Sequence, residues 1–111
     1  DLVFDVRCLQ NPYYIKELRS QTGCDSSVRD YVMSFEQSRI LLDKIKDLLD
    51  FLIPLYVHEG KSQLVICFGC TGGKHRSITF TELVSDYLIK RGLRVQKSHR
   101  DIGKDISYYR T

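Results

Sequence analysis

The feature that most limits the possible folds is residues 64–68, LVICF, an apolar run without alternation that passes at once into glycines at 69, 72 and 73. A strand apolar on both sides belongs inside a parallel sheet. Beyond the glycines, Ile78, Phe80, Leu83, Val84, Tyr87 and Leu88 recur at helical spacing, with Gly92 to close, and predict a helix of about four turns. Residues 94–98 then read as another strand. Strand, glycine turn, helix and strand make a βαβ unit, whose crossover is right-handed.

The rest of the chain fits around that unit. Residues 2–8, LVFDVRC, read as a strand stopped by Asn11-Pro12. A polar loop from Lys16 to Ser27 follows, and Asp25 or Ser26 is placed to cap a helix running through Tyr31 and Phe35. Leu41, Leu42, Ile45, Leu48, Leu49, Leu52 and Ile53 form the apolar stripe of a second helix. Pro54 is expected to kink or end it, with Gly60 marking the exit. The fold expected is a single α/β domain over 1–111, three-layered, with a small, mainly parallel sheet and helices on both faces.

At 111 residues the chain has room for one core. Its apolar stretches are too short to cross a bilayer, and residues 1–7, DLVFDVR, read as a strand rather than a signal peptide. Beginning in a strand without methionine, the sequence reads as a domain of a longer polypeptide. Cys8 and Cys67 lie in apolar runs and read as core thiols. Cys67 and Cys70 form a C-x-x-C pair with no second pair after it. Disulfides, metal and cofactor are therefore not expected, and a reducing cytoplasm is. Charge is segregated: the net +3 divides into +5 on residues 90–111 and −2 on the remainder. The basic end is either a solvated tail or a surface for polyanions, with Tyr108 and Tyr109 available for stacking on bases.

The turn itself, FGCTGGKHRS, lies where a buried strand enters a helix, the usual ligand position in open α/β sheets. A helix N-terminus offers free amides and partial positive charge to an anion. Lys74, His75 and Arg76 add donors, Thr71 and Ser77 add hydroxyls, and Gly72 and Gly73 allow close approach. Phosphate or a similar oxyanion is the ligand such a turn suits. The nucleotide P-loop does not fit, because Gly69 stands only four residues before Gly73 and His75 replaces the hydroxyl that binds magnesium. Cys70, Arg76 and Ser77 do satisfy C-x5-R-[ST], the cysteine-dependent phosphatase loop, in which a thiolate attacks phosphorus and arginine holds the oxygens. Gly69 stands where those enzymes commonly place histidine, and Asp5 is the one general acid in view. Asp5, at the end of a strand expected to run parallel to residues 64–68 so that both open onto one crevice, suits sugar hydroxyls or an ammonium group, unless it merely pairs with Arg7.

More of the chain supports a third comparison. GCTGGKHRS before a helix, a basic segment ending in HRD, and DLVFDVR with its Asn-Pro loop resemble the C-terminal domain of the RapZ/YvcJ family, from Asp1 to about Lys104. The resemblance implies an RNase adapter without catalysis, which binds small regulatory RNA, presents it to an endonuclease and senses glucosamine-6-phosphate. It implies a ligand site made of Asp5, Arg7, Asn11, Cys70, Thr71, Gly72, Gly73, Lys74, His75, Arg76 and Ser77. It also implies RNA contacts at Lys97, His99, Arg100 and Lys104, and a homo-oligomer. Full-length members carry an N-terminal P-loop NTPase domain, which this sequence does not include. Enterobacterial members have a histidine after the Asn-Pro pair and a terminus rich in lysine and arginine, whereas this chain has Tyr13 and ends in DIGKDISYYRT.

Overall fold

The structure is a computed structural model that describes residues 1–70 and 74–99. Its elements run β1 (Leu2–Asp5), a 3-10 turn (Pro12–Tyr14), α1 (Ser26–Met33), α2 (Glu36–His58), β2 (Ile66–Gly69) and α3 (Arg76–Lys90). The two strands pair in parallel, Leu2 beside Ile66 through Asp5 beside Gly69. Parallel neighbours need a long crossover, and α1 and α2 provide it. The small α/β class and the parallel pairing expected from the sequence are both present.

The core forms between the inner sheet face and the helices. Val6, Leu9, Val28, Val32, Leu42, Ile45, Leu49, Phe80, Val84 and Leu88 are buried together. Phe4 stacks on Phe68 at 5.5 Å, and Phe68 meets Phe80 of α3 at 6.1 Å. Burial of such aromatic surface is the main favourable contribution to folding. A salt bridge between Asp50, inside α2, and Arg91, at the C-cap of α3, at 3.0 Å ties the two helices together.

Several expectations need correction. The β2 run is apolar throughout, yet its burial alternates. Ile66 and Phe68 face the core, while Cys67 is exposed and Val3, on the same outer side, is 78% exposed. The described residues therefore supply helices to the inner sheet face only. Cys8 is exposed as well, because β1 ends at Asp5, whose carboxylate accepts the Arg7 backbone N–H and turns the chain away. All four cysteines are free.

Residues 94–98 form no strand. Val95 is the one apolar residue there that packs on the core, and the segment is held to α3 by the Lys97–Glu82 ion pair, with the neighbouring His99 ring on the same carboxylate, instead of a ladder. Pro54 neither ends α2 nor is buried; the helix continues to His58. On an exposed face, water can take the carbonyl that proline leaves without its N–H partner. Both helix exits read from glycine hold: Gly60 and Gly92 have φ of +85° and +83°. Lys61 and Leu93 donate back to Tyr56 and Leu88, closing each end with the paired bonds of a Schellman motif.

Candidate anion-binding site

Parallel pairing brings the carboxyl ends of both strands to one edge, and the Val6 N–H bonds to the Gly69 carbonyl at 2.9 Å. The α3 N-terminus comes back to the same edge. His75, at its N-cap, provides no side-chain cap, so the first amides look elsewhere for acceptors. Ser77 donates its N–H to Cys70 Sγ at 3.3 Å. Cys70 and Ser77, seven residues apart, thus meet at the start of a helix, where partial positive charge favours an anion.

Asp5 stands beside Gly69 in the register. Arg7 Nε reaches both of its carboxylate oxygens, at 3.0 and 2.9 Å, and Arg7 Nη2 adds a bond of 2.6 Å. These bonds hold the Asp5 pKa down to about 2, with the Arg76 charge assisting. The pair remains half exposed, with its outward lone pairs open to solvent or ligand.

Arg76 is the least ordinary residue at the edge. Its side chain passes under the β1 end and donates from Nη1 to the carbonyls of Arg7 at 2.7 Å and Leu9 at 3.0 Å. It is only 3% exposed. Among the described residues no carboxylate lies within 4.0 Å of it, and its buried Nε has no acceptor. A buried cation without a counter-charge is costly.

The His75 side chain and the Lys74 backbone carbonyl are turned toward the loop before α1. The buried His75 ring donates from Nε2 to the Leu18 carbonyl at 3.2 Å, and burial pushes its pKa down. The Lys74 carbonyl accepts the Gly23 N–H at 3.0 Å. Gly23 is the position that sequence reasoning missed. A Cβ there would lie 2.4 Å from the Thr79 nitrogen and 2.6 Å from the His75 carbonyl oxygen. Only glycine lets the loop press its backbone against the first turn of α3. A single glycine in a polar loop carries little signal of such contact.

The remaining expected residues divide. Asn11 Oδ1 accepts from the Tyr13 N–H at 3.0 Å and so caps the 3-10 turn; among the described residues its side chain makes no hydrogen bond to the edge groups. Lys97 and His99 each approach Glu82 of α3 at 2.8 Å, which gathers them on the helix rather than at the strand ends. Thr71, Gly72, Gly73, Arg100 and Lys104 lie outside the described residues. Asp5, Arg7, Cys70, Arg76 and Ser77 are therefore the expected ligand-site residues that the described structure brings together at the edge.

Comparison with known proteins places this geometry in a lineage. A family model of the RapZ C-terminal domain matches residues 1–103. The chain is 57% identical over 105 residues to a protein of Acetivibrio thermocellus named as a nucleotide-binding protein, covering 95% of this chain and 36% of the relative. A nucleotide-binding protein of Lysinibacillus sphaericus is 56% identical over 104 residues, with 94% and 35% covered. One of Clostridium novyi is 52% identical over 106 residues, with 96% and 36% covered. The chain spans about a third of the length of these relatives, and it belongs to the RapZ C-terminal domain family.

Proposed function

We propose that the domain binds a phosphorylated amino sugar, of the glucosamine-6-phosphate kind, at the edge formed by the strand ends and the α3 N-terminus, and that this binding is coupled to small-RNA binding and RNase adapter activity. The observation that carries the reading is Arg76, a buried guanidinium that, among the described residues, has no carboxylate within 4.0 Å and no acceptor for its Nε. A phosphate supplies both the missing charge and the missing acceptor. Asp5, anionic and adjacent, repels phosphate and attracts an ammonium or a hydroxyl, which orients an amino sugar with its phosphate toward the helix. The relatives are named for nucleotide binding, and a nucleotide phosphate shares this chemistry. The endonuclease partner, the homo-oligomer and a further helical layer on the outer sheet face belong to the same proposal. The exposed Val3 and Cys67 side of the sheet supports the last two.

The phosphatase reading needs Arg76 to grip phosphate oxygens from the loop while Cys70 attacks. Arg76 Nη1 is already committed to two backbone carbonyls, which favours binding over turnover.

Thermal unfolding against glucosamine-6-phosphate, glucosamine, inorganic phosphate and a nucleoside triphosphate tests the reading, with released phosphate assayed in the same samples. A ligand at about a hundred times its Kd adds roughly 2.7 kcal/mol. The expected result is stabilisation by the sugar phosphate beyond that given by phosphate or glucosamine, weakened in Asp5→Asn, without turnover. Phosphate release abolished in Cys70→Ser would move the assignment to catalysis. Stabilisation by the nucleotide alone would replace the sugar.

A further inference from the structure

We propose that Cys24, Glu82 and His99 form a site for one zinc-like divalent ion, with the fourth position left to water. The inference does not depend on the anion site. One donor atom from each residue lies within 4.8 Å of the other two. The donors come from three separate parts of the chain: the loop before α1, the middle of α3 and the segment beyond α3. The Glu82 and His99 side chains are only 14% and 13% exposed, whereas Cys24 stands at the surface.

Thiolate, carboxylate and imidazole are all ordinary zinc ligands, and three of them with water make an open tetrahedral site. Donors around one such ion stand roughly 3.3–3.7 Å apart. Each side chain need move by little to reach that spacing. Charge also balances: a divalent ion with a thiolate, a carboxylate and a neutral imidazole sums to zero. Cys24 gives up its thiol proton to solvent on binding. His99, now 2.8 Å from Glu82 through Nε2, turns a lone pair in place of an N–H toward the centre.

Lys97 is the competing cation, 2.8 Å from the other Glu82 oxygen. Its side chain is 38% exposed and Asp86 also attracts it, so it has another partner when an ion takes Glu82. A bound ion would fasten the segment after α3 to the loop whose Gly23 presses on the first turn of that helix.

Titration of the reduced 111-residue chain with cobalt(II) tests the site. The expected result is saturation at one equivalent, with a sulfur-to-cobalt charge-transfer absorption and the visible bands of tetrahedral coordination. Cys24→Ser should remove the charge-transfer absorption, and Cys8→Ser with Cys67→Ser should leave it. Glu82→Gln and His99→Gln should each weaken uptake at least about tenfold, and Lys97→Met should strengthen it. Circular dichroism of each metal-free variant identifies any that fails to fold. Cys24→Ser alone then decides the matter, since that side chain is exposed. Absorption that persists in Cys24→Ser, or no saturable uptake by the parent chain, would overturn the proposal.

Discussion

Burying a guanidinium without a carboxylate is expensive, and Arg76 is kept in place by the two carbonyls of the β1 exit. Arg76→Ala would strand both acceptors and is expected to cost about 2–4 kcal/mol in chemical denaturation, since each bond is charge-assisted. It is accordingly a poor control for ligand contact. His75 has a lower pKa in the fold than its ordinary 6.5 because burial disfavours its charged form. The unfolded chain takes up that proton first, so the contribution is complete above about 6.5 and is lost as pH falls through the folded value. The melting temperature of the parent should drop over that range more steeply than that of His75→Gln; parallel curves would contradict this. Asp5 should titrate near 2 by carbon NMR and return toward 3.8 in Arg7→Ala. Gly23→Ala must push backbone against backbone and is expected to lose about 3 kcal/mol, the upper end for overpacking. The sequence offered Arg76 and His75 as ligand donors because residue type shows what a group can donate. It does not show that a carbonyl far along the chain already receives the bond, as Leu9 and Leu18 do.

Among the elements, the helices were legible because an apolar stripe and a closing glycine act locally. The Schellman closures at Gly60 and Gly92 follow directly from those glycines. Strand reading failed where apolar character was taken as burial. Residues 64–68 suggested a strand covered on both faces, but Cys67 faces outward. Residues 94–98 suggested a strand from spacing after α3, but one packed valine and the Lys97–Glu82 ion pair gave that segment other anchors, with His99 next to it on the same carboxylate. Pro54 shows the reverse case, a breaker overridden where Leu42, Ile45, Leu49 and Ile53 pack α2 on the core before it and the paired bonds at Gly60 close the helix after it. Proline in an exposed helix interior costs up to about 3 kcal/mol relative to alanine. Pro54→Ala should therefore raise the urea midpoint; a lowered midpoint would mean that the ring contributes packing.

For the molecule as a whole, two chemistries are separated in space. The strand ends, the α3 N-terminus and Arg76 make an edge suited to an anion, while Lys97 and His99 lie on Glu82, well along α3. If the basic segment binds single-stranded RNA through the residues named for it, whose three cations are Lys97, Arg100 and Lys104, log K should fall with log salt at a slope of roughly −2. A flat response would remove RNA from the proposal. At the edge, the decisive measurement is the Arg76 Nε–H resonance in nitrogen-edited NMR during titration with glucosamine-6-phosphate. A saturable downfield shift of that proton, absent with glucosamine, is the predicted result. Saturable binding that leaves the resonance in place, or no binding at all, would contradict an anion site built on Arg76.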